Sequence, residues 1–269
     1  MKKLLISDLD ETLQKAHSEI NSKQINLLLS SIKNGLFIVI ITGASTNSLY
    51  KRVINRIPNE FLNKFIFYTN SGALSFQIST EGKYKKHYSL ESDFLIHKRF
   101  IKKLTQDVAT ELNIEIIKEG KATKAKYNEI WIEYKEAQAA LTMQGNENKR
   151  EKVVSALMKR FKKYNLKLEA HVAGSRTVDI HLKDINKSYA VNHLTKLLSN
   201  IGYSNETKVF IAGDSFSRLG SDRLLLHPNF NNPTILHTGS GILKIKGYKR
   251  IEQLNDENYL KIYYYLNTI

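Results

Sequence analysis

The chain has 269 residues, 42% of them hydrophobic and 10% aromatic. That is a globular composition with material for one large core or two smaller ones, and it excludes a disordered or fibrous protein. It has no cysteine and a formal net charge of +15 that is spread along its length, so a disulfide framework and a thiolate metal site are excluded.

The first residues, Met1-Lys2-Lys3-Leu4-Leu5-Ile6-Ser7-Asp8, carry an apolar run too short for a signal-peptide core. No run approaches the ~18 apolar residues of a membrane span. A cytoplasmic protein with no membrane partner is expected. Leu4–Ser7 reads as a strand, and Ser22–Lys33 as an amphipathic helix with Ile25, Leu28, Leu29 and Ile32 on one stripe, stopped by Gly35. Leu36–Ile41 is continuously apolar, as a buried parallel strand is, and ends in Thr42-Gly43. Ser45–Ile54 reads as a helix and Lys64–Thr69 as a third strand, followed by Asn70-Ser71-Gly72-Ala73. This alternation implies a parallel sheet with right-handed crossovers.

The middle of the chain changes texture. Leu74–Ile78 and Lys83–Ser89 read as short strands around Glu81-Gly82, and a helix is expected over about Asp93–Leu112. Glu129–Tyr134 alternates strictly, Asn148–Tyr164 is helical, and Leu166–His171 and Thr177–Leu182 form an antiparallel pair around Ala173-Gly174. This is the grammar of an α+β unit inserted into an α/β sheet. Its basic run, Lys159-Arg160-Phe161-Lys162-Lys163, reads as a solvated helix face, and charge alone does not single out nucleic acid. His171, Arg176 and His181 read as surface residues of this unit, and Trp131 as part of its core. The first pattern then resumes: Lys187–Asn200 as a helix, Lys208–Ala212 as a buried strand ending in Gly213-Asp214-Ser215, Thr234–His237 as a short strand and Asp256–Leu266 as a terminal helix.

The strand ends carry the chemistry. Asp8 and Asp10 lie on one face at the end of the first strand, where a buried strand gains nothing from two repelling carboxylates. An isolated Asp-x-Asp more often makes an ordinary turn. Here, however, Thr42, Gly43, Lys187, Asp214 and Ser215 fall at or beside strand ends that parallel strands bring to one edge. Three carboxylates meeting there want a hard divalent cation, for which Mg²⁺ is the best fit. A hydroxyl, a lysine ammonium and glycine-freed amides beside it receive a phosphoryl group.

Asp8-Leu9-Asp10-Glu11-Thr12-Leu13, Thr42-Gly43, Lys187 and Gly213-Asp214-Ser215 resemble, in order, the four motifs of the haloacid dehalogenase (HAD) superfamily. The insertion lies where that superfamily's sugar-phosphatase-like branch carries a large α/β cap, and Asn70-Ser71-Gly72-Ala73 resembles that branch's Asn-Gly-Ala turn. The resemblance implies a Rossmann-like parallel-sheet core over residues 1–74 and 186–269 and a cap over 75–185. It implies a Mg²⁺-dependent phosphatase of a small phosphorylated metabolite, with a sugar phosphate as the substrate class. Asp8 would be the nucleophile and Asp10 the proton carrier. Asp8, the main-chain carbonyl of Asp10, and Asp214 would hold the metal, while Thr42, Gly43 and Lys187 would bind phosphate. Two positions depart from the pattern. Ala44 stands where Arg is usual, and Arg218 where a second acid of the fourth motif is usual. Asp222 takes that acid's place if the loop is four residues longer, with Ser215 as a further orienting group. A phosphomutase, a phosphatase of nucleic-acid ends and a non-catalytic sugar-phosphate-binding protein remain alternatives.

Overall fold

The computed structural model describes residues 2–114, 116–121, 127, 129–173, 176–198, 203–204, 206–217, 220–255 and 259–269. It divides into two compact units, one of Met1–Tyr88 with Asn186–Ile269 and one of Ser89–Ile185.

The first unit begins with β1 (Lys3–Ser7), α1 (Ser22–Lys33), β2 (Leu36–Ile41), α2 (Thr46–Arg52), α3 (Asn59–Leu62), β3 (Phe65–Thr69), β4 (Leu74–Ile78) and β5 (Tyr84–Ser89). The second comprises α4 (Glu91–Leu95), α5 (Lys98–Glu111), β6 (Ile116–Glu119), β7 (Glu129–Tyr134), β8 (Gln138–Gln144), α6 (Arg150–Lys163), β9 (Leu168–Ala173) and β10 (Thr177–Leu182). The chain returns to the first unit with α7 (Lys187–Leu198), β11 (Lys208–Gly213), β12 (Thr234–His237), β13 (Ile251–Gln253) and α8 (Leu260–Thr268).

The first unit's sheet has eight strands in the order β13-β12-β11-β1-β2-β3-β4-β5. Strands β13 through β3 are mutually parallel, and β4 runs antiparallel to β3. Alternate residues of the apolar strands supply two cores. Leu5, Ile38, Phe65 and Phe67 pack on one side with Leu28, Ile32 and Tyr263. Leu4, Ile6, Val39, Ile41 and Ile66 pack on the other with Ala190, Val191 and Leu194 of α7. Each large side chain buried this way contributes ~1.5–3 kcal/mol, and both sheet faces are covered, which is why these strands are apolar without alternation. Helix α1 starts at a capping box. Asn21 accepts from the Gln24 amide at 3.0 Å, and the Asn21 amide donates back to Gln24 Oε1 at 2.9 Å. Tyr263, the first of the tyrosine run in α8, is buried and donates to the Leu13 carbonyl at 2.8 Å, while Tyr264 is exposed.

The second unit holds a five-stranded sheet, β6-β7-β8-β10-β9, in which β6 and β7 are parallel and the other pairs antiparallel. Val153, Leu157 and Phe161 of α6 are buried, and Lys159, Lys162 and Lys163 are exposed. No helix among the described residues is long and apolar enough to cross a membrane.

Three expectations change. Residues 75–88 group with the first unit rather than with the insertion, because β4 turns back onto β3 and β5 follows it at the sheet edge. The helix expected over Asp93–Leu112 is two helices, α4 and α5, separated at Ile96 and His97. Strands β6, β8 and β13 were not expected. Gly174, at the expected β9–β10 turn, lies outside the described residues, as do Asn200 and Asp256 at the helix ends.

Candidate active site

Strand order reverses at β1: β2 extends the sheet on one side and β11 on the other. The carboxyl edge at such a switch point is where an open α/β sheet opens a crevice. Asp8 follows β1 there, its amide donating to the Ala212 carbonyl of β11 at 3.1 Å.

Lys187, the first residue of α7, reaches this edge and is only 6% exposed. Its ammonium lies 3.0 Å from Asp8 Oδ1 and 2.6 Å from Asp222 Oδ1. Asp222 is completely buried. Its second oxygen, Oδ2, accepts from the main-chain amides of Asp214 and Ser215, both at 2.9 Å, and its own amide donates to the Ser215 carbonyl at 3.0 Å. Gly213 is required for this approach, since a Cβ there would sit 2.5 Å from Asp222 Oδ2 and 2.6 Å from its Cγ. Of the two positions weighed for a further acid, Asp222 faces Asp214, and Arg218 lies outside the described residues.

Asp8, Asp214 and Asp222 each offer an oxygen, and the three oxygens lie within 4.8 Å of one another. Burial pushes the Asp8 carboxyl up to about 7, against the pull of Lys187 and with further push from Asp222 and Asp10. Burial also pushes Asp214 up to about 8, aided by Asp222 and Asp8. Burial works to lower Lys187, but Asp222 and Asp8 hold it above its ordinary value. One ammonium thus faces three acids.

Both raised carboxyls favour folding when protonated. Their contribution is complete below their ordinary value of 3.8 and is lost as pH rises through about 7 and about 8. The metal-free protein is therefore expected to melt at falling temperature between about pH 5 and about pH 8.5. Calorimetric scans in a chelator across this range check this. A melting temperature that holds level or rises over the range would contradict it.

Asp10 is placed differently. Its Oδ1 accepts from the His17 amide at 3.2 Å and from Arg52 Nη2, and its Oδ2 accepts from Arg52 Nη1 at 3.4 Å. Arg52 ends α2, is 7% exposed, and also donates through Nε to the Ser18 carbonyl at 2.8 Å. Glu11 adopts a left-handed backbone (φ 57°), a conformation that favours glycine. Its side chain compensates by accepting from the Ala16 amide at 2.9 Å and from the Tyr259 hydroxyl.

Thr42 lies just beyond β2, buried, its hydroxyl accepting from the Ala44 amide at 3.0 Å. Its carbonyl accepts from the Ser71 amide at 2.9 Å. Gly43 faces Ser71, whose Oγ would be 3.4 Å from a Cβ at that position. Asn70, Ser71 and Gly72 are consecutive left-handed residues (φ 51°, 58° and 104°). They turn the chain from β3 into β4 and bring Gly72 against Asn186 and Ala190 at the start of α7.

Sequence reasoning missed Arg52, because an arginine in an amphipathic helix looks like any solvated one. In the second unit His181 is buried rather than at the surface, its Nε2 3.0 Å from His171 Nδ1. Burial, and then His181, lower His171 below its ordinary value. Arg176 donates to Gln144 Oε1 at 2.9 Å, and buried Trp131 donates through its indole to Glu129 Oε2 at 2.5 Å.

This two-unit α/β fold is similar to those of several solved phosphatase structures. A structure titled trehalose-6-phosphate phosphatase related protein matches 99% of this chain and 96% of its own, with TM-score 0.62 and 15% identity. The Aspergillus fumigatus trehalose-6-phosphate phosphatase matches 100% of this chain and 93% of its own (TM-score 0.56, 14% identity). Plasmodium falciparum IMP-nucleotidase matches 99% of this chain over 61% of its own (TM-score 0.61, 16% identity). No protein-family model and no curated protein sequence matches the chain.

Proposed function

We propose that the protein is a Mg²⁺-dependent phosphatase that hydrolyses a small phosphorylated metabolite, with a sugar phosphate as the substrate class. The observation that carries this reading is Lys187 between Asp8 and Asp222, with Asp214 alongside, at the switch point of the parallel sheet. The names of the fold neighbours, a trehalose-6-phosphate phosphatase and an IMP-nucleotidase, support the substrate class as a phosphate ester of a small molecule.

The residues fit a hard divalent ion. The donors are all oxygen, and Asp8 and Asp214 are held above the ordinary carboxylate range by burial with too little positive charge nearby. Asp8, Asp214 and the main-chain carbonyl of Asp10 would hold it. Asp222, with both oxygens already engaged, orients the Asp214 loop and Lys187, and Ser215 contributes its amide to that clamp. When bound, Mg²⁺ supplies charge neutralisation for the phosphoryl oxygens.

The chain's own residues account for the bond changes. Asp8 attacks phosphorus, the ester P–O bond breaks, and Asp10 protonates the leaving oxygen. Asp10 then takes a proton from water, whose oxygen bonds phosphorus as the bond to Asp8 breaks and inorganic phosphate leaves. Lys187, Thr42 and the Gly43 amide bind the phosphoryl oxygens, and Lys187 offsets the charge of Asp8.

The test is phosphate release from a panel of sugar phosphates, nucleoside monophosphates and 5′- and 3′-phosphorylated oligonucleotides, with Mg²⁺ or a chelator. Mg²⁺-dependent release with preference for sugar phosphates is expected. Preference for oligonucleotide ends with a steep salt dependence would replace the substrate class. Transfer of phosphate between hydroxyls without net release would indicate a mutase. Binding without turnover across the panel would sink the enzyme reading.

A further inference from the structure

Arg52 is a buried guanidinium at the proposed site, and among the described residues its ion-pair partner is Asp10. It is fixed from three sides: Nε on the Ser18 carbonyl at 2.8 Å, both Nη atoms on Asp10, and its own carbonyl accepting from the Ile20 amide at 3.0 Å. The Ser18 carbonyl is itself held by Gln14 Nε2 at 2.7 Å. A buried arginine is retained only when paired, and its planar fork matches a carboxylate in one orientation. This fork, with the His17 amide, therefore sets where the Asp10 oxygens lie.

On the phosphatase reading above, on which this step rests, we infer that Arg52 is the positioning residue of Asp10. Its main effect falls on the second half of the reaction. There Asp10 enters as a carboxylate and must accept a proton from water while the bond between phosphorus and Asp8 breaks. In the first half Asp10 gives up a proton instead, and a leaving group that is a stable anion does not need it. A fork that fixes where both Asp10 oxygens lie thus matters most in the step where Asp10 must meet the attacking water. A 1 Å misplacement of such a group costs on the order of 10²-fold.

The experiment uses the full chain with Mg²⁺ and p-nitrophenyl phosphate in stopped flow. Arg52→Ala is expected to release about one nitrophenolate per site in a burst, then turn over ~10–100-fold more slowly than wild type. Added guanidinium ion is expected to restore part of the slow phase. Arg52→Lys should fall between the two and carries the test if the alanine variant does not fold. Asp10→Asn combined with Arg52→Ala should be no slower than Asp10→Asn alone. Steady-state turnover within about twofold of wild type would overturn the inference. So would a slow variant with no burst and no guanidinium rescue, the mark of a purely structural arginine. Both results leave the phosphatase reading intact. An inactive wild type fails that reading itself and takes the inference with it.

Discussion

On the proposed mechanism, Asp8→Asn is expected to lose turnover by at least ~10⁴-fold while keeping its fold, because the amide cannot attack phosphorus. Two readouts should fall and one should rise. Phosphate release falls to background. Acid-quenched wild type carries a phosphoryl group on the peptide containing Asp8, and the variant carries none. The melting temperature of the metal-free variant near pH 8 rises above that of wild type, since burial is the main force holding Asp8 up to about 7 and the amide has no charge to desolvate. Lys187 keeps Asp222 at 2.6 Å and is not stranded by the change. An Asp8→Asn protein that still releases phosphate would remove the nucleophile from the proposed mechanism.

Asp222→Ala is expected to produce the largest structural effect. The substitution removes one of the two carboxylates facing the buried Lys187 ammonium and the acceptor of two main-chain amides together. Breaking one side of a buried, hydrogen-bonded ion pair costs about 3–5 kcal/mol. On the proposed reading, loss of the group that orients the Asp214 loop should lower metal affinity ~10–100-fold. Chemical denaturation and Mg²⁺ titration by calorimetry measure the two effects separately. Asp222→Asn should also be harmful, because its amide nitrogen must face either the Lys187 ammonium or two N–H donors. Gly213→Ala should mimic the loss by driving the Asp222 carboxylate out of place, and it should remain harmful on the Asp222→Ala background, because its Cβ would also lie 2.7 Å from the Cβ of residue 222. A Gly213→Ala protein as stable as wild type would show that the close approach at Gly213 does not matter.

The central parallel strands were readable because both of their faces are buried, whereas β13, short and partly exposed at the sheet edge, was not. Leu36–Ile41 has no other reason to be apolar throughout, and each such run ends in the polar residues that gather at one sheet edge. The hairpin of β4 and β5 was readable as strands but not as part of this sheet, since alternation does not say which partner a strand takes. Strand β8 was not readable. Its Ala-Ala-Leu-Thr-Met stretch has weak strand propensity, and its pairing with β7 on one side and β10 on the other decides its conformation. The site shows the same division. Asp8, Lys187 and Asp214 follow from residue type at strand and helix ends. The choice of Asp222 needed geometry, because only its burial and the two amides aimed at it separate it from any other acid in a loop. Arg52 depended entirely on tertiary placement, with its partner 42 residues away.

The clamp at Asp222 works like the neck of a bag. Ser215 and Asp222 bond reciprocally, amide to carboxylate and amide to carbonyl, so the chain between them is closed at its base. Asp214 is held at that neck by a carboxylate eight residues further along the chain. What places the second acid is the pair of amides it faces, not its nearness in sequence.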